Sequence, residues 1–163
     1  MNSAKPKTVR LFIHGLESTN QGTKSVFFRE RFPDMIIPNF PGSLEERMMK
    51  LESILAGKEK IKIVGSSFGG LMATIYAMEN GPRVASLILL APAINLLESS
   101  NYPQDEITVP TRIYHGKEDE VIHLTAMEKV ARRVFKNLSL HAVDDDHYLH
   151  ETFKTLDWDS LLS

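Results

Sequence analysis

Short apolar runs rich in β-branched residues alternate along this chain with longer stretches of helical periodicity, and few architectures accept that alternation. Strands separated by helices pair in parallel through crossover connections. The pattern therefore predicts an α/β fold, a mostly parallel sheet with helices on both faces in a three-layer α/β/α sandwich. Six strands are expected, over residues 8–13, 35–38, 60–64, 86–90, 111–115 and 139–143. Most are continuously apolar, as strands covered on both sides must be. Helices are expected over 24–32, 43–55, 68–80 and 124–136, with a short one near 148–156. Ser43 followed three residues later by Glu46 has the spacing of a capping box, and Asn80-Gly81-Pro82 is a strong helix stop. The stretch 91–110 contains three prolines and is long for a connection inside a compact domain, which marks it as a candidate short lid.

Composition serves mainly to exclude. A length of 163 residues fits one domain over 1–163 and leaves no space for a large cap beside the sheet. With 19 Lys+Arg against 21 Asp+Glu the net charge is −2 and no run is strongly basic, so nucleic acid is not an expected partner. No apolar run approaches the ~20 residues of a membrane helix, and no leader-like apolar segment follows Lys5 and Lys7. A cytoplasmic protein without a membrane partner is expected. The chain has no cysteine, which removes thiol nucleophiles and cysteine-based metal sites.

The third strand candidate runs into Gly65-Ser66-Ser67-Phe68-Gly69-Gly70 and then directly into a helix, placing a G-x-S-x-G string in a strand–turn–helix context. A serine at the apex of so sharp a turn has strained dihedrals, and side chains two residues to either side would collide. That selects Ser67, flanked by Gly65 and Gly69, over Ser66, flanked by Val64 and Phe68. A phosphate loop would need G-K-[ST] and a dinucleotide loop G-x-G-x-x-G, and neither is present. A hydroxyl becomes a nucleophile when a base takes its proton and a third group orients the base. Asp119 follows the fifth strand candidate and His147 follows the last, so the order Ser67, Asp119, His147 places all three at the carboxyl edge of a parallel sheet. Asp144, Asp145 and Asp146 directly precede His147, and one of them is an alternative orienting acid.

These strings together resemble the α/β-hydrolase family over nearly the whole chain. The resemblance rests on Ser67 within Gly65-Ser66-Ser67-Phe68-Gly69, Asp119 within His115-Gly116-Lys117-Glu118-Asp119, His147 after the last strand, and His14-Gly15-Leu16 after the first. It implies a minimal α/β-hydrolase fold with catalytic Ser67, Asp119 and His147. By the same resemblance the backbone N–H groups of Leu16 and Phe68 form an oxyanion hole. Short length and the absence of a large cap are most similar to small bacterial YqiA-like esterases. If the family strand order holds, the first three strands lie in the order second, first, third, and a crevice opens at that reversal.

Six histidines need an account. His14 and His115, before glycines at strand ends, read as structural; His123 and His141 read as surface or structural; His150 falls inside the last helix, so the loop position of His147 suits a base better. A metal held by His147, His150 and an aspartate would leave the serine motif without purpose, and no metal or other cofactor is expected. The sequence thus predicts a serine hydrolase acting on a small-molecule ester, preferentially with a short acyl chain gripped by Leu96, Leu97 and Tyr102 of the candidate lid. The alternatives are an acyl-thioesterase or acyltransferase with the same three residues, or a hydrolase-fold protein that binds a ligand without turnover.

Overall fold

The computed structural model describes residues 5–99 and 105–163. Five strands, β1 (Val9–Ile13), β2 (Ile61–Ser66), β3 (Val84–Leu90), β4 (Thr111–Gly116) and β5 (Leu138–Val143), form one sheet in the order β1-β2-β3-β4-β5, every pair parallel. Along each strand, alternate side chains enter opposite layers. Leu11, Ile13, Ile63, Leu87, Leu89 and Ile113 pack beneath α2 (Leu44–Leu55), α3 (Phe68–Asn80) and α4 (Leu124–Val134). Phe12, Val64, Ile88, Leu90 and Tyr114 pack with side chains of α1 (Thr23–Arg31), α5 (His150–Thr155) and α6 (Trp158–Leu161). This is the sandwich expected from continuously apolar strands.

The expected sixth strand does not form. Residues 35–38 run beside β1 on the side opposite β2 and make a single parallel bridge, Leu11 to Ile36, in which Ile36 N donates to Arg10 O and Phe12 N to Ile36 O. The next rung would need an N–H from residue 38, which is proline. Two residues later the Phe40 N–H donates to the ring Nε2 of His14 instead of to a carbonyl. The reversal at β1 is nonetheless in place, with the Ile36 segment on one flank and β2 on the other.

Side-chain caps from the N-cap residue mark the starts of α2 and α6. Ser43 and Glu46 make the reciprocal capping box at the start of α2. α6 was not foreseen, because four residues are too few to carry a period. Asp157 caps it through Ser160 N, and its Trp158 buries an indole edge-on against Phe28 at a centroid distance of 4.8 Å. In the stretch 91–110, Ile94–Ser99 is a 3₁₀ helix packed on α3 and α4. None of the described helices is long and apolar enough to cross a membrane.

Candidate active site

The turn between β2 and α3 carries the site. Ser67 sits at φ 54° and ψ −114°, a backbone conformation that residues other than glycine rarely adopt. Several backbone bonds hold it there: Ser67 N donates to Leu90 O at the end of β3, and Ser67 O accepts from Gly70 N and Ala93 N. Close packing explains the flanking glycines. A Cβ on Gly65 would stand 2.5 Å from Gly69 O, and one on Gly69 only 2.1 Å from Ile13 O. The turn is thereby pressed against the end of β1, so the loop at Gly15 approaches Ser67.

The Ser67 Oγ lies 3.1 Å from His147 Nε2, and His147 Nδ1 lies 2.8 Å from Asp119 Oδ2. A carboxylate only accepts, so the imidazole carries its proton on Nδ1 and offers the Nε2 lone pair to the hydroxyl. Asp119 is buried, and its Oδ1 accepts from Val121 N and Ile122 N at 2.9 and 2.7 Å. The three aspartates before His147 are engaged elsewhere. Asp144 pairs with Lys117 at the surface. Asp145 accepts from Glu151 N and Thr152 N at the start of α5, and Asp146 accepts from Tyr148 N and Leu149 N. Burial pushes the Asp145 carboxyl up, but its backbone N–H bonds outweigh that and hold it below the usual carboxylate range. Of the two alternatives for the orienting acid, the carboxylate that meets His147 is Asp119.

The structural histidines also separate. His14 is buried, donates from Nδ1 to Gly15 O at 2.7 Å and accepts the Phe40 N–H on Nε2. Burial lowers its pKa, and it bridges the residue 35–40 segment to the loop after β1. His115 is fully buried, with Nε2 2.7 Å from Ile122 O and 3.3 Å from Asp119 Oδ2, and burial lowers its pKa too. His123 and His141 are exposed, the latter stacked on Tyr114. His150 is the first residue of α5 and is exposed beside Tyr148. Among the described residues no group of three or more His, Asp or Glu could hold a metal ion.

A cleft of about 780 Å³ opens over Ser67 and His147. Leu16, Leu96, Val121 and Tyr148 are its exposed apolar rim, and Phe68 lines it as well. Leu97 does not reach the cleft. The 3₁₀ turn that brings Leu96 to the rim rotates its neighbour into the core, where Leu97 is fully buried. Tyr102 lies outside the described residues. Four residues of this region escaped the sequence reading. Val121 and Tyr148 are each within two positions of a motif residue, which is a signal proximity alone could have supplied. Asn95 lines the cleft with a buried, unpartnered Oδ1, and Lys24 reaches from α1 to donate to Tyr148 O, bracing the loop that carries His147. Neither has a sequence signature.

With this geometry in hand, comparison with known proteins places the architecture. A family model described as alpha/beta hydrolase fold matches residues 46–104, the span holding most of α2, the Ser67 turn and β3. Three solved structures superpose over most of both chains. Alpha/beta hydrolase domain-containing protein 10 from mouse has a TM-score of 0.76 at 20% identity, covering 92% of this chain and 86% of that one. Est1E from Butyrivibrio proteoclasticus gives 0.73 at 18%, covering 93% and 84%. A YdeN-like hydrolase from Pectobacterium atrosepticum gives 0.70 at 18%, covering 86% and 80%. This is an α/β-hydrolase fold. A short match to the Abhydrolase domain-containing protein lid-1 of Caenorhabditis elegans is 56% identical over 36 residues, which is 22% of this chain and only 10% of that curated relative. As an α/β-hydrolase fold the molecule is small, and its described residues add no separate cap to the sheet and helices.

Proposed function

We propose that the protein is a serine hydrolase that cleaves carboxylic esters through an acyl-enzyme. The observation that carries this reading is the hydrogen-bonded chain Ser67–His147–Asp119 on a strained turn at the floor of an open cleft. In this reading Ser67 Oγ attacks the ester carbonyl carbon while its proton passes to His147 Nε2. The negative oxygen that forms is held by the N–H groups of Leu16 and Phe68; that of Phe68 belongs to the first turn of α3 and lacks an intrahelical partner. Collapse expels the alkoxide, which takes the proton from Nε2 and leaves as alcohol. Water then attacks the acyl carbon, gives a proton to Nε2 and releases the acid, and Ser67 recovers its proton. Asp119 keeps the proton on Nδ1 throughout and stabilises the transient imidazolium. No cofactor enters.

The names of neighbours such as Est1E support ester chemistry, as does a cleft whose rim is apolar and open to water. Short acyl groups are the preferred substrates, because the rim offers a few exposed side chains rather than an enclosed tunnel. A fluorophosphonate probe tests the nucleophile: labelling of the protein with loss of both label and esterase activity in Ser67→Ala is expected. Equal labelling of the variant would remove Ser67 from the role. Across p-nitrophenyl esters, kcat/KM is expected to fall from acetyl and butyryl to long chains, and a long-chain preference would contradict the acyl assignment.

A further inference from the structure

Arg47 is buried to 5% exposure on the inner face of α2, yet no carboxylate lies within ion-pair distance of it among the described residues. Its Nε donates to Gly42 O at 2.9 Å and its Nη2 to Leu16 O at 3.3 Å, while Nη1 has no partner. The guanidinium carbon stands 5.3 Å from the centroid of the Phe68 ring. The burial, the missing counter-ion and the unpartnered Nη1 are costly to maintain. A buried cation without a counter-ion is strongly disfavoured, and a cation in the first turn of a helix opposes the helix dipole. The neighbouring acid that would relieve it, Glu46, is turned away to the Ser43 N–H. An arginine stays charged under these conditions. Besides Gly42, this charge touches Leu16 and Phe68, the two residues whose backbone N–H groups face the developing oxyanion in the reading above.

We propose that Arg47 is a positioning residue of the oxyanion hole, clamping the Leu16 loop by its carbonyl and the Phe68 ring by its face, so that a charge no carboxylate neutralises stands beside both residues. The inference rests on the serine-hydrolase reading. A fixed positive charge in a poorly solvated place acts on the transition state, where the substrate carbonyl oxygen becomes anionic, and hardly on the neutral ester. Arg47 does not line the cleft, so it acts through Leu16 and Phe68 rather than by touching substrate.

The test compares the wild-type protein with Arg47→Met, which keeps bulk without charge, and Arg47→Lys, which keeps charge without the planar fork. Each is titrated with a fluorophosphonate so that rates refer to reactive Ser67, and assayed with p-nitrophenyl acetate and with a boronic acid, whose serine adduct is a tetrahedral anion. In Arg47→Met, kcat per labelled site is expected to fall about ten- to a hundredfold, with KM within about twofold and boronate affinity weakened by the same factor as kcat. Arg47→Lys should lie between it and the wild type in both readouts. A loss through damaged structure would lower the labelled fraction and leave the surviving sites normal. If Arg47→Met fails to fold, the same split in Arg47→Lys decides. Wild-type kcat per labelled site in the variants, or a lowered kcat with unchanged boronate affinity, overturns the proposal alone. A wild-type protein that neither takes the probe nor hydrolyses the ester overturns the serine-hydrolase reading beneath it.

Discussion

Asp119 spends both carboxylate oxygens on N–H donors: Oδ1 on Val121 and Ile122, Oδ2 on His147 with His115 alongside. Replacing it with asparagine would retain the volume but present an amide N–H to His147 or lose the ionic partner. The imidazole would then favour its other tautomer, with Nε2 protonated and unable to accept from Ser67. A fall in kcat of about 10³–10⁴-fold is expected for Asp119→Asn, with near-wild-type KM, measured on a short-chain ester. Asp145→Asn leaves the His147–Asp119 bond in place and should keep most of the activity. Gly69 illustrates how narrow the construction is, since the nearest atom to an added Cβ is a backbone oxygen that has no freedom to rotate away. Gly69→Ala is expected to destabilise the fold by about 1–3 kcal/mol in urea titration and to disturb the Ser67 turn.

At the level of elements, α5 depends on a residue well outside it. Leu149, at the N-cap position, is left-handed and offers no side-chain bond, and Asp145 supplies the acceptor for two α5 N–H groups. Because its folded-state pKa is depressed, Asp145 stabilises the folded protein fully above the unfolded value of about 3.9, and that contribution is lost as pH falls through the lower folded value. Asp145→Ala should cost about 1–2 kcal/mol at neutral pH, and the difference from wild type should shrink toward strong acid. Legibility in the sequence followed the range of the interactions involved. The helix 68–80 and the Ser67 turn were readable because a strand end, spaced glycines and a terminal Asn-Gly-Pro are local signals. Residues 35–38 misled because Met35-Ile36-Ile37 has strand composition while Pro38 removes the rung that would extend the ladder. Leu97 misled because which of two adjacent leucines faces a cleft is decided by the helix on which the turn packs. Arg47, following Glu45 and Glu46, has the look of a solvated helix face, and its burial follows from where α2 docks.

Across the whole molecule, two buried imidazoles make acid stability a global property. His14 and His115 have pKa values lowered by burial, so below the ordinary value of about 6.5 the unfolded chain binds protons that the folded one refuses. Stability is complete above that pH and declines as pH falls beneath it. Urea midpoints are expected to be lower at pH 5.5 than at pH 7.5, and equal midpoints would contradict the neutral assignment of these rings. The parallel order of the sheet has a different consequence, concerning time rather than equilibrium. Pairing β1 with β2 joins residues about fifty positions apart; Ser67 and Asp119 lie on two separate crossovers, and His147 lies beyond the last strand. Loop closures of this length are slow, and on the serine-hydrolase reading the site is incomplete until the segment carrying His147 has docked. On that reading, regain of ester hydrolysis during refolding should coincide with the slowest structural phase, which makes turnover itself the clock for the docking of the last strand and the loop beyond it.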